Sequence, residues 1–152
     1  MRKTKNTKEI ILLVLAFLIF SPIIGTSINN QNDWQLYKEL NGVLIYYKSF
    51  ECHLPADGLH QELVLLKFVN TTDTKLKIEW DFELWYDNKC TTCDKNTFDE
   101  NHREFELEEG ANIEGTCTFR VGELTIFKKF LNYKDLPELT KFELKNLNVT
   151  PV

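Results

Sequence analysis

The stretch of residues 62–87, ELVLLKFVNTTDTKLKIEWDFELWYD, constrains the fold more than any other. In its second half, apolar residues occupy positions 76, 78, 80, 82, 84 and 86, and charged residues occupy most positions between them. Side chains on a β-strand alternate between its two faces, so this pattern predicts a long antiparallel strand with one buried face. The first half is apolar on both faces apart from Lys67, which is typical of a strand packed on two sides.

Two turn signals separate the apolar stretches. Asn70, Thr71, Thr72 and Asp73 are residues that hydrogen-bond their own backbone in turns, so residues 62–87 are predicted to form a hairpin. Asn41-Gly42 lies between residues 33–40 and 43–51, both with apolar alternation. Asn-Gly is the strongest short hairpin signal because both turn residues need positive φ, so a second hairpin is predicted here.

Shorter patterns continue towards the C-terminus. Residues 104–108 and 113–119 alternate, and residues 141–149 predict a last strand whose face changes between Leu144 and Leu147. In residues 124–131, LTIFKKFL, the larger apolar side chains lie at helical spacing, so a short helix is predicted, with an edge strand as the alternative. About seven strands without strand–helix alternation predict an all-β fold, a two-sheet antiparallel sandwich.

The first 27 residues have the layout of a secretory signal peptide. Basic residues precede an uninterrupted apolar run at residues 10–20, and the small residues Gly25 and Ser27 follow it. A retained membrane anchor is the alternative, but about 11 residues at ~1.5 Å each give about 16 Å, short of the ~30 Å hydrocarbon core. We therefore predict cleavage after Ser27, a periplasmic or extracellular location, and residues 28–152 as a single domain without stable membrane insertion.

The exported chain predicted in this way is acidic. Cleavage would remove four basic residues and Glu9, leaving 14 basic and 22 acidic residues from the 18 and 23 of the full sequence. Phosphate recognition needs clustered lysine and arginine, so this balance argues against nucleic acid and anionic membrane as partners.

Four cysteines predict two disulfides in an oxidising compartment: Cys52, Cys90, Cys93 and Cys117. Three pairings are possible. The second and third cysteines are close enough in the chain to pair locally, so we favour that bond together with Cys52–Cys117. By chain-entropy reasoning the long loop of about 65 residues stabilises by roughly 4 kcal/mol, against about 2 kcal/mol for the local one.

The Cys90-Thr-Thr-Cys93 motif has two alternative interpretations, a redox-active pair and a set of zinc ligands. A redox pair needs a preceding strand and a following helix that lower the thiol pKa, but acidic residues flank this motif. A zinc site would combine Cys90, Cys93 and His102 with Cys117 or His60, but the usual second pair of ligands is absent. A structural disulfide is preferred, and neither a metal nor a cofactor is predicted.

Candidate binding residues lie on the long strand and in the polar loop of residues 87–103. Trp85 stands on the charged face of the strand, where it would stack on a glycan or contact a protein, with packing against a neighbouring strand as the alternative. The loop carries possible oxygen ligands at Asp94, Asn96, Asp99 and Glu100. Their spacing is not that of an EF-hand, which favours a solvated acidic loop over a calcium site.

The segments LLKFVNTTD, LEEGANIEGTC and KFELKNLNV together resemble small exported immunoglobulin-like sandwich proteins of uncharacterised function. The resemblance covers most of residues 28–152 and implies an immunoglobulin-like strand arrangement. It transfers no site residue, because the cysteine–tryptophan–cysteine spacing of antibody domains is absent. His53, His60 and His102 have no recognisable nucleophile near them, so no enzyme is predicted.

Taken together, the sequence predicts an exported, disulfide-stabilised domain that binds a protein or a glycan or has a structural role. The alternative is a metal-binding or redox protein that uses the Cys90/Cys93 loop.

Overall fold

The computed structural model describes residues 33–93, 98–118 and 123–152. These residues form two antiparallel sheets, as predicted, from nine strands rather than about seven. The strands are β1 (Gln35–Leu40), β2 (Val43–Leu54), β3 (Leu59–Asn70), β4 (Leu76–Tyr86), β5 (Lys89–Cys90), β6 (His102–Leu107), β7 (Asn112–Glu114), β8 (Thr125–Phe130) and β9 (Leu139–Pro151). Helical structure in the described residues comprises the 3-10 turn Pro55–Asp57, the single turn α1 (Phe98–Asn101) and a short 3-10 segment at residues 123 and 124.

Each sheet is organised around one long strand. In the first sheet β3 pairs with β2 along one edge, β1 lies beyond β2, and the short strands β7 and β8 share the other edge of β3. In the second sheet β4 pairs with β9 along one edge, while β6 and β5 share the other. The predicted Asn41-Gly42 turn connects β1 and β2, with φ of 46° and 80°.

Residues 62–87 do not form the predicted hairpin, because β3 belongs to the first sheet and β4 to the second. The chain crosses between the sheets around Asn70, whose side chain is 1% exposed. Its Nδ2 donates to the backbone oxygens of Thr74, Leu107 and Glu108 at 2.8, 3.3 and 3.0 Å. Alternation shows that a strand lies on each side of the turn, but it does not show which sheet the second strand joins.

The main core fills the space between the two sheets. Trp80 is fully buried and stacks on Phe68 of β3 with ring centroids 5.1 Å apart. The predicted dry face of β4 is buried at Leu76, Ile78, Trp80 and Phe82. The other face of β3 is buried as well, in a second cluster that contains Leu63, Leu65 and Cys52 with Trp34, Phe50, Cys117 and Phe127 packed against it.

Residues 125–130 form the strand β8 and not the predicted helix. β8 pairs with β3 from Thr125 opposite Leu65 to Phe130 opposite Gln61, and Lys128 has no partner in this register. A β-bulge of this kind adds one residue to a strand, so Phe127 and Phe130 lie on the same face with their ring centroids 4.8 Å apart. The bulge therefore produces a three-residue spacing that resembles helical periodicity in the sequence.

Both predicted disulfides are present, and none of the four cysteines is free. Cys52 near the end of β2 is bonded to Cys117, with Cα atoms 5.5 Å apart. Cys90 in β5 is bonded to Cys93, with Cα atoms 5.8 Å apart. The first bond ties the segment after β7 to the second apolar cluster, and the second bond closes the start of the polar loop.

Candidate functional site

Most charged side chains of the second sheet lie on its solvent-facing surface, which is called the outer face below. Odd-numbered residues of β4 point away from the core, and the strand register places residues of β6 and β9 beside them. The outer face consists of Lys77, Glu79, Asp81, Glu83 and Trp85 of β4, His102, Glu104 and Glu106 of β6, and Lys141, Glu143, Lys145, Asn148 and Thr150 of β9, with Asn146 reaching it from a bulge.

Carboxylates outnumber ammonium groups on the outer face, so it is acidic. Glu143 accepts from both neighbouring lysines, Lys141 at 2.6 Å and Lys145 at 2.8 Å. These two hydrogen bonds lower the pKa of Glu143 from 4.5 to about 2. Glu143 therefore keeps its negative charge well into the acidic range.

His102 is the first residue of β6 and lies beside Asp81 at the middle of β4, with β9 on the other side of β4. Its Nδ1 is 2.9 Å from Oδ1 of Asp81, and Oδ2 of Asp81 accepts from Asn146 at 2.7 Å. Partial burial acts to raise the pKa of Asp81, but the hydrogen bonds from Asn146 and His102 outweigh it and the pKa is lowered. The bulge that aims Asn146 at Asp81 has φ of 50° at this residue, and it accounts for the predicted change of face in β9.

Two further carboxylates approach the free side of the His102 ring. Glu104 Oε2 is 4.0 Å from His102 Nε2, and Glu79 lies directly opposite Glu104 in the β4–β6 pairing. One ligand atom from each of Glu79, His102 and Glu104 lies within 4.8 Å of the others. A hydrogen bond from Asn148 to Glu79 Oε1, 3.0 Å long, is the main cause of a lowered pKa for Glu79.

The group of Glu79, His102 and Glu104 differs from the zinc alternative that the sequence raised, which used Cys90, Cys93 and His102. Cys90 and Cys93 are bonded to each other, and the groups around His102 are carboxylates supplied by neighbouring strands. An open cavity of about 470 Å³, lined by His102, Arg103, Glu104 and Glu123, gives access to the site. Sequence reasoning missed Glu79 and Glu104 because only the strand register brings them to the histidine.

Trp85 lies at one end of the outer face, near the end of β4, and is half-buried. It is paired with Lys141 of β9 on one side and Cys90 of β5 on the other, and the Lys141 ammonium lies 4.2 Å from the centre of its ring. Trp85 therefore packs in part against a neighbouring strand, which was the predicted alternative to an exposed binding residue. A ligand that stacks on this face of the ring would first displace Lys141.

Two of the other predicted binding residues, Asp99 and Glu100, lie in α1, outside the strands that form the outer face. Glu100 is exposed in α1, and its backbone oxygen accepts from Arg103 at 2.8 Å. Asp99 lies in the same turn, whereas Asp94 and Asn96 lie outside the described residues. The calcium alternative for this loop therefore stays a prediction from sequence.

The three histidines do not form one site. His53 and His60 face each other at the end of the β2–β3 hairpin, in the first sheet, with their Nδ1 atoms 3.0 Å apart. Glu51 lies 3.6 Å from His53 Nε2. His102 belongs to the second sheet, so the two groups are separate.

No helix within residues 33–93, 98–118 and 123–152 has the length and apolarity that crossing a bilayer requires. Comparison of the chain with protein-family models, curated proteins and solved structures finds no match.

Proposed function

We propose that this chain is an exported, disulfide-stabilised domain that binds a ligand through the outer face of its second sheet. The observation that carries the proposal is the network of side-chain hydrogen bonds between strands that holds the charged groups of this face. Asp81 and Glu79 of β4 accept hydrogen bonds from Asn146 and Asn148 of β9, and Lys145 of β9 lies 3.6 Å from Glu83 of β4. Groups held in this way lose little conformational freedom when a ligand binds, which favours affinity.

The charge and size of the face indicate what it would accept. Its central part is acidic, and Asp81 and Trp85 are four residues apart on β4, which corresponds to about 13 Å. A ligand of this length that carries positive charge at one end and an aromatic or sugar-like surface at the other would match Asp81 and Trp85. Cationic peptide segments and amino-sugar glycans have these properties.

The chemistry of the outer face favours binding over catalysis. Among its described residues there is neither a serine nor a free thiol, and His102 is flanked by carboxylates rather than by a nucleophile. Two disulfides agree with an oxidising location, which supports export. An immunoglobulin-like relationship stays part of this proposal and rests on the sequence resemblance. Mass spectrometry of the exported protein tests cleavage, with Ile28 expected as the first residue.

Arrays of immobilised amino-sugar glycans and lysine-rich peptides test the binding proposal. Residues 28–152 are expected to bind a subset of spots, and Trp85→Ala together with Lys141→Ala is expected to weaken that signal. Leu36→Ala is the matched control, because Leu36 is an exposed apolar residue of the first sheet. Equal loss of signal in the control, or binding unaffected by the Trp85 and Lys141 changes, would place the binding surface elsewhere.

A further inference from the structure

We propose that His102, Glu104 and Glu79 form a binding site for one divalent transition-metal ion of the zinc class, with Asp81 as the residue that orients His102. This site is independent of the ligand proposed above and would exist whether or not the outer face binds a peptide or a glycan.

The first support is the orientation of the imidazole. A contact of 2.9 Å between His102 Nδ1 and the Asp81 carboxylate places the ring proton on Nδ1, because a carboxylate accepts and does not donate. The Nε2 lone pair is then free and points to the side of Glu104. A carboxylate that fixes the tautomer of a histidine in this way is typical of metal-ligating histidines.

The second support is the position of the two glutamates. Glu79 and Glu104 are direct partners in the β4–β6 ladder, and His102 is two residues before Glu104, so all three side chains share one face. Their ligand atoms lie within 4.8 Å of one another. Ligands that are ~2.0–2.1 Å from a tetrahedral ion lie about 3.4 Å apart, so small rotations of the exposed glutamate side chains would complete the geometry.

The third support is that the two glutamates already hold a cation. Lys77 Nζ lies 2.7 Å from Glu104 Oε2 and 3.6 Å from Glu79 Oε2. The lysine side chain is 40% exposed, so it can turn into solvent when a metal ion takes its place.

The donor atoms of the three side chains indicate which class of metal ion the site would bind. One imidazole nitrogen with carboxylate oxygens suits zinc, cobalt, nickel or copper, whereas calcium and magnesium prefer oxygen ligands alone. Three protein ligands leave a fourth position open towards the cavity beside Arg103 and Glu123. Water or a donor group of a bound molecule would fill that position.

Isothermal titration of the metal-free exported protein with ZnCl₂ tests the site, with CaCl₂ as the comparison ion. One Zn²⁺ per chain is expected to bind, and Ca²⁺ at the same concentrations is expected not to. His102→Ala should abolish the saturable Zn²⁺ signal, and Asp81→Asn should weaken binding about tenfold. Lys77→Met should tighten binding about fivefold, because one exposed ion pair no longer competes with the metal.

His53→Ala is the matched control, since it removes a histidine of the first sheet and should leave Zn²⁺ affinity unchanged. Circular dichroism shows that each variant is folded, and NMR of the imidazole nitrogens should show Zn²⁺ perturbing Nε2 of His102 while Nδ1 stays protonated. The proposal is overturned if wild type and Lys77→Met both fail to bind Zn²⁺. Equal binding of Ca²⁺, or Zn²⁺ binding lost in His53→Ala and kept in His102→Ala, overturns it as well.

Discussion

Asn70 connects the two sheets through five hydrogen bonds made by one buried side chain. Nδ2 donates to the three backbone oxygens described above, and Oδ1 accepts from the backbone N–H of Thr72 at 2.9 Å and from its hydroxyl at 2.7 Å. Two of the three oxygens that accept from Nδ2 belong to the end of β6 and the turn after it, in the second sheet. The side chain therefore substitutes for the backbone pairing that the crossing between sheets interrupts.

We expect Asn70→Asp to destabilise the protein by about 3 kcal/mol or more. The carboxylate keeps the contacts to Thr72 but faces three carbonyl oxygens with no donor, and a buried unpaired acceptor costs about 1–3 kcal/mol, more when charged. Urea unfolding measures the change. Thr74→Ala is the control, because the Asn70 contact there is to a backbone oxygen that the substitution keeps. A loss below about 1 kcal/mol for Asn70→Asp would contradict this role.

Trp80 is fully buried, yet its Nε1–H has no acceptor among the described residues. Trp80→Ala should cost about 3–5 kcal/mol because it leaves a cavity between the sheets. Trp80→Phe should cost clearly less, because it retains a ring against Phe68 and removes a buried donor whose missing partner costs about 1–3 kcal/mol. The denaturant midpoints of the two variants give the comparison. Equal losses of stability would show that the indole N–H forms a hydrogen bond in solution.

The titration of Glu143 tests the charge network of the outer face. Its pKa of about 2 in the folded state lies below the ordinary 4.5, so the favourable contribution is complete above pH 4.5 and is lost as the pH falls towards 2. NMR of the side-chain carboxyl should report this midpoint. Lys145→Met should raise the midpoint towards 4.5, whereas Lys129→Met, in the first sheet, should leave it unchanged. A midpoint near 4.5 in the wild type would show that the lysines do not pair with Glu143.

At the scale of the elements, hydrophobic periodicity predicted the buried faces of single strands, but it did not predict how two strands pair. The alternation of β4 correctly predicted a strand with one buried face. The continuous apolar run of β3 correctly predicted a strand that is buried on both faces. The partner of β4 could not be predicted, because Asn70 and its neighbours have the same residue types in a hairpin as in a crossing between sheets. β8 was misread because its bulge at Lys128 gives Phe127 and Phe130 a helical spacing.

The two disulfides should differ in their contribution to stability. Replacing Cys52 and Cys117 together by alanine should cost roughly 4 kcal/mol, and replacing Cys90 and Cys93 about 2 kcal/mol, because the first bond closes the longer loop. The first pair also covers the cluster of Leu63 and Leu65, which should then become more accessible. Urea unfolding of both double variants measures the order, and non-reducing peptide mapping checks the pairing. A Cys52–Cys90 peptide, or the reverse order of stability, contradicts this assignment.

At the scale of the whole molecule, the proposed binding surface is a product of strand register. Trp85 was recognised from the sequence because an aromatic side chain stands out on a charged strand face. Glu79, Glu104 and Asn146 were not, since they are ordinary polar residues until β6 and β9 are placed beside β4. The acidic total follows from the composition, but the placement of carboxylates on the outer face depends on the fold.

Carboxyl footprinting of the protein in its native environment, compared with the purified protein, tests most directly whether the outer face is the binding surface. Glu104 and Glu51 are matched probes, because their side chains are 54% and 64% exposed in the second and first sheet respectively. Carbodiimide labelling read by mass spectrometry should show Glu104 and Glu106 protected in the native environment and Glu51 labelled equally in both states. Protection of Glu51 with unchanged labelling of Glu104 and Glu106 would contradict the assignment of the outer face.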